Sequence, residues 1–160
     1  SYTSKIATGG GAAFCNDRQP STDSSSMNGS GGTGTTTTYY AAYNRLATNK
    51  VPTFKCADTG DRFATSVGLI TADEVAYAGG VFYTNNSGYY LYTGNYYWTM
   101  SPSDVDTRGY AFVFVVVSDG WLRNRYVDGT YDVRPVINLK ADTTFADGGK
   151  GTSSNPYVAD

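Results

Sequence analysis

"AFVFVVVSDGWLRNRYVDGTYDVRPVINL", residues 111–139, is the stretch whose reading decides the architecture. Ala111–Val117 is an unbroken apolar run of β-branched and aromatic residues, which suits a central strand buried on both faces. Ser118-Asp119-Gly120 is a tight-turn signal, so residues 121–127 return as a hairpin partner. Alternate side chains of a strand point to opposite faces. With Leu122 and Tyr126 directed inward, Trp121, Arg123 and Arg125 point out together. Residues 133–140, "VRPVINLK", read as a further strand, in which Pro135 implies a bulge or an unpaired stretch.

Outward from this hairpin, composition narrows the possible functions. The chain has 160 residues, a length that suits one domain (1–160) with a sizeable core. It carries 15 Tyr, 7 Phe and 19 Gly against 16% charged residues, the profile of a turn-rich, many-stranded chain with tyrosines at its surface. Such tyrosines make contacts at low entropic cost. The net charge of −2 and the lack of a basic stretch argue against nucleic acid as a partner. No run approaches the roughly 18 apolar residues of a membrane span. Histidine is absent, which removes Ser-His-Asp and Cys-His catalysis, imidazole zinc sites and the usual general base. We therefore expect no enzyme, no metal and no other cofactor. Cys15 and Cys56 read as a disulfide of an exported protein, the alternative being two buried thiols. A chain opening at Ser1, without Met or a signal peptide, reads as a processed or excised piece.

Along the chain, residues 1–20 suggest a short strand or extended arm ending near Cys15, and the polar low-complexity stretch 21–38 a flexible loop. Tyr39, Tyr43 and Leu46 share helical spacing, with Asn49 and Pro52 closing that helix. The sequence "GLITADEVAYAGG" (68–80) predicts a helix over 72–78: Thr71 and Glu74 form a capping box, Val75 faces the core with Tyr77 near it, and Gly79-Gly80 stops the helix. Asp73 and Glu74 are favoured in its first turn without any catalytic role. Short aromatic strands flank turns at 84–88 and 93–95, Trp98 is expected in the core, and Tyr157 marks a last edge strand. No internal repeat is visible. The sum is an α+β fold with two short helices and a mostly antiparallel, twisted sheet with long loops.

The segment "LITADEVAYAG" resembles the capped-helix motif of formylglycine-generating-enzyme-like proteins. "YYWTMSP", "AFVFVVVSDGWL" and "DVRPVINL" together resemble the C-terminal half of C-type-lectin-fold domains of bacterial surface proteins. The resemblance covers residues 65–140 and implies a C-type-lectin-like fold. Formylglycine generation needs late cysteines, which this chain lacks after Cys56, and the calcium-lectin triplets "EPN", "QPD" and "WND" are absent. The oxygen-bearing stretches "TNN" and "SDVD" (103–106) read as solvated turns rather than calcium ligands. A third branch, the variable proteins of diversity-generating retroelements, mounts a hypervariable ligand-binding face on this fold just before the final strand. That likeness implies a binding face of Asp104, Asp106, Arg108, Tyr110, Trp121, Arg123, Asn124, Arg125, Asp128 and Tyr131.

The expected function is a non-enzymatic extracellular or cell-surface binding domain, of adhesin or receptor type, within a larger bacterial surface protein. Its partner would be a protein or glycan on another cell, phage or host surface. Trp and Arg are the residues that most often dominate binding energy at interfaces. Two alternatives stay open. One is a glycan-binding module whose Tyr89, Tyr90, Tyr92 and Tyr96 stack on sugar rings, and the other is a structural fibre or tail subunit. The bland reading of the arginines is an ion pair with Asp119 or Asp128. Arg134 reads as a structural, carbonyl-capping residue.

Overall fold

The structure is a computed structural model that describes residues 2–8, 12–22, 36–56, 59–152 and 154–160. Most of the polar stretch 21–38 lies outside these residues. Among the described residues eight strands are present: β1 (Ala13–Cys15), β2 (Thr38–Tyr39), β3 (Arg62–Ala64), β4 (Val67–Leu69), β5 (Tyr97–Val105), β6 (Ala111–Val116), β7 (Leu122–Tyr126) and β8 (Pro135–Ile137). The main sheet has the order β2-β5-β6-β7, and the pairs β1-β3 and β4-β8 flank it. All five strand pairings are antiparallel, while two single bridges, Phe82 to Leu122 and Tyr97 to Asp132, are parallel. Helix α1 (Ala41–Tyr43) continues as a π-helical turn through Asn44–Asn49, and α2 spans Ala72–Ala78. The molecule is thus an α+β fold with two short helices and mostly antiparallel sheets.

The apolar run of β6 lies between β5 and β7 and is covered on both sides over Phe114–Val117. One face meets the helices in a core of Ala42, Leu46, Ala72, Val75, Tyr97, Phe114, Val116 and Leu122. Along β5 the inward positions Tyr97, Thr99, Ser101 and Ser103 are all buried. Their small hydroxyls let α2 approach end-on: Ser101 Oγ accepts from the Ala72 N–H (3.0 Å), one of the orphan donors of a helix N-terminus. Trp98 therefore stands on the other side of the strand, half-buried, and Tyr97 takes the core place expected of it.

Helix α2 has the bounds its caps dictate. Thr71 accepts from the Glu74 N–H (3.1 Å) and Glu74 accepts from the Thr71 N–H (2.7 Å). Gly79 then ends the helix at φ 121°, a conformation costly for other residues. Val75 is buried, but Tyr77, two positions on and so on the opposite side, is exposed. It stacks on Phe54 and donates to the Pro52 carbonyl (2.9 Å). The first helix ends at Asn49, as expected, and Lys50 caps it in the left-handed conformation (φ 56°), two residues before Pro52.

Arg45 ties the first helix to α2 through Asp73 and to the arm after β1 through Asp17, each at 2.7 Å. Burial works against its charge, and the two carboxylates outweigh that, holding the guanidinium well above its ordinary value. Burial pushes the Asp17 carboxyl up, with Arg45 opposing. Cys15 and Cys56 are disulfide-bonded, stapling the N-terminal arm to the segment after the first helix. No helix among the described residues is long and apolar enough to cross a membrane.

Three expected strands are reduced. Residues 81–84 make only single bridges, 89–92 form turns, and the C-terminal tail contributes bridges at Phe145–Ala159 and Thr152–Asn155 rather than an edge strand. Aromatic content suits a pleated, half-buried surface, but the left-handed backbone at Tyr83 carries the first segment off the β7 edge after one bridge. Pro135 is neither bulged nor unpaired: it opens β8 opposite Leu69, a first position where its missing N–H is tolerated.

Candidate functional site

Strand register fixes what lies over the outer face of β6. Trp98, Val115 and Arg123 form one cross-strand row, and Pro102, Val113 and Arg125 the next. Directly opposed side chains in such rows lie about 4.5–5.5 Å apart at Cβ. Val115 is fully buried, although it lies on the face away from the helices. The apolar stems of the arginines and the aromatic rings thus form a second layer over the strand, as long charged side chains commonly do.

Trp121, Arg123 and Arg125 are all half-buried on this face. The Arg123 guanidinium lies 5.6 Å from the Trp121 ring and 5.4 Å from the Tyr83 ring, and Tyr83 meets Trp121 edge-on at 4.8 Å. Arg125 lies 5.8 Å from the Tyr96 ring. Tyr131 stacks on Tyr96 (5.2 Å) and tilts onto Trp98 (4.7 Å). All three cation–ring distances are within the range of attraction. Among the described residues neither Arg123 nor Arg125 is ion-paired, so the bland pairing with Asp119 or Asp128 does not form. The Trp121 Nε1 and Arg123 Nε atoms are covered and have no hydrogen-bond partner there. Beside Tyr96 and Tyr131 lies an open depression of about 410 Å³, also lined by Asn95, Thr130 and Asp132.

The other expected residues fall elsewhere. Asp106 accepts from the Arg108 and Tyr110 N–H groups and from the Arg108 side chain, rigidifying the turn between β5 and β6. Desolvation pushes the Asp106 carboxyl up. The Arg108 side chain, the Tyr110 and Arg108 N–H groups and the Arg108 charge outweigh it and hold the carboxyl below the usual range. Arg108 lies over the Tyr110 ring (5.0 Å), and Tyr110 meets Tyr126 edge-on. Asp128 is exposed beyond β7, near this end of the sheet. Asp104 does not belong to any surface: it is buried, accepting from Ser103 Oγ (2.6 Å) and Asn124 Nδ2 (3.0 Å). The one-residue shift after Pro102 turns Ser103 and Asp104 both inward. Asn124 consequently serves the network under the sheet. Tyr126, expected inside, is 41% exposed and packs on Phe112.

The ten residues therefore divide. Trp121, Arg123, Arg125 and Tyr131 share one face, Asp106, Arg108, Tyr110 and Asp128 lie at the end of the hairpin, and Asp104 and Asn124 lie beneath. Tyr83 and Trp98 join the face without having been expected there. Tyr83 has a positive φ of 53°, which no sequence signal announces. Trp98 was legible only through strand parity. The four tyrosines of the glycan reading do not form a platform: Tyr89 packs on the core, and burial pushes its phenol up. Arg134 donates to the Leu91 carbonyl (2.6 Å), a structural cap.

A larger cleft, about 710 Å³, lies by the disulfide and is lined in part by Arg45, Asp17, Asp73 and Glu74. Arg45, Asp17 and Asp73 pair with one another there and Glu74 caps α2, so this part of the cleft reads as a structural junction. Among the described residues no cluster of acidic, Cys or His side chains is arranged to hold a metal ion. No family model, no curated protein and no solved structure matches the chain.

Proposed function

We propose that this chain is a non-enzymatic, C-type-lectin-like binding domain of a bacterial surface protein, displayed outside the cell. The reading rests on one observation: Trp121, just ahead of β7, and Arg123 and Arg125 within it stand in line on one face, over a strand buried on both sides, with both arginine charges unpaired among the described residues. Stacked Arg–aromatic groups are already ordered, which lowers the cost of binding. The disulfide suits an extracellular setting. In the retroelement branch the same face is diversified, which a near-copy of the coding region beside a reverse-transcriptase gene would support.

The test is selection of a displayed random-peptide library on the wild-type chain, with the triple variant Trp121→Ala, Arg123→Ala, Arg125→Ala as counter-target and a glycan array in parallel. Enriched binders that lose the variant while it remains folded support the reading. Binders indifferent to the three substitutions contradict it. The depression beside Tyr96 and Tyr131 favours a second reading, a glycan site, in which array binding would depend on those two rings.

A further inference from the structure

We propose that the outer edge of β7 is a strand-addition site for an extended, acidic segment of a partner protein. This deepens the binding-face reading and rests on it.

The register decides which backbone groups are available. The Val117 N–H donates to Trp121 and the Val127 N–H to Ala111, so odd-numbered residues of β7 bond to β6. The even-numbered ones, Leu122, Asn124 and Tyr126, direct their N–H and C=O groups away from the sheet. Leu122 is already engaged: its N–H donates to Val81 and its carbonyl accepts from Tyr83, the parallel bridge at Phe82. The edge therefore already accepts one residue of strand. At Tyr83 the left-handed backbone turns the chain away. Beyond it, the Asn124 N–H and C=O and the Tyr126 N–H have no backbone partner among the described residues, while the Tyr126 carbonyl is taken by Gly129. An unpaired edge of this kind is a template for another strand.

Charge selects the occupant. A strand laid on this edge sets alternate side chains beside Arg123 and Arg125, on the face where both cations lack an ion pair. Opposite charges across a ladder are favourable and like charges are not. The intervening side chains lie beside Tyr126, which is exposed and favours β-branched or aromatic neighbours. The fitting segment thus alternates acidic and apolar residues. Tyr83 borders this edge, exposed, its hydroxyl 3.5 Å from Asn124 Oδ1 and its ring against Trp121 and the Arg123 guanidinium.

The experiment follows amide hydrogen exchange by NMR with the peptide Ac-Glu-Val-Glu-Val-Glu-Val-NH2, and with its Lys-for-Glu counterpart as control. The acidic peptide is expected to slow exchange at the Asn124 and Tyr126 amides by at least about tenfold, as for amides newly engaged in a ladder, and the basic one to leave both unchanged. Binding without slowed exchange at those amides overturns strand addition and leaves the binding face standing. Failure of the acidic peptide to bind at millimolar concentration also overturns it, while the library selection judges the face separately.

Discussion

Asp106 gathers two backbone N–H groups and the Arg108 guanidinium around one carboxylate, and so holds the 106–110 turn in shape. Its folded-state pKa is lowered, so its contribution is present above the ordinary aspartate value of about 3.9 and is lost as the pH falls through the lower folded value. The Arg108 and Tyr110 amide shifts should therefore stay constant from neutral pH down through pH 4 and move only below it, and a midpoint at the ordinary value would contradict this role. The face residues differ in kind. Replacing Arg123 and Arg125 with Lys keeps the charge and gives up planar stacking on Tyr83, Trp121 and Tyr96. We expect less than about 1 kcal/mol of lost stability, as for surface sites, with at least tenfold weaker binding of library-selected ligands. Equal affinity would reduce the face to a point-charge patch. At this scale the Thr71–Glu74 capping box was fully legible, because it depends on two residue types at a fixed spacing. Tyr77 was not, since its two-residue offset from Val75 carries it round the helix.

Among elements, the β6–β7 hairpin decides most. Gly120 has a φ of 79°, and a side chain there would collide with the Asn86 carbonyl. Gly120→Ala should cost more than about 2 kcal/mol by denaturant unfolding, through backbone strain and displacement of the 84–88 loop. A near-neutral result would mean that the loop yields freely. The Arg45 junction makes a second expectation. Arg45→Met leaves Asp17 and Asp73 buried without their cation and should cost about 3–5 kcal/mol at pH 7. Burial already pushes the Asp17 carboxyl up and Arg45 opposes it, so without Arg45 this group takes up a proton in the fold more readily and the deficit should shrink as the pH falls toward 4. A deficit independent of pH would show that lost packing, not charge, dominates. The strands 111–116 and 122–126 and the helix 72–78 could be read from the sequence because pattern and turn chemistry agree there. The segments 81–83 and 89–92 look equally strand-like in composition, but the first turns away at Tyr83 after meeting Leu122 alone and the second closes on itself from the Tyr92 N–H to the Tyr89 carbonyl, and nothing local reveals either.

For the molecule as a whole, the sheet separates two functions of the sequence. Its helix side carries the core and the charged junction, and its outer side carries a layer of aromatic rings and arginine stems over Val115. The disulfide closes the N-terminal third onto this body across a sequence separation of 41. Chain-entropy reasoning assigns such a loop about 4 kcal/mol. Reduction should lower the unfolding free energy by about that amount, and an unchanged denaturation midpoint would show that the arm contributes nothing to cooperativity. The α+β class was legible from composition and periodicity, whereas membership of the face was only partly so. Asp104 was misplaced because the irregular register after Pro102 reverses strand parity, which no residue type signals. The most direct measurement is amide chemical-shift mapping of the chain with a library-selected ligand. The expected result is that the largest changes fall on Trp121–Arg125, Tyr96, Trp98 and Tyr131. Changes confined to the cleft beside Cys15 and Cys56, with the β7 face silent, would contradict the assignment of that face as the binding site.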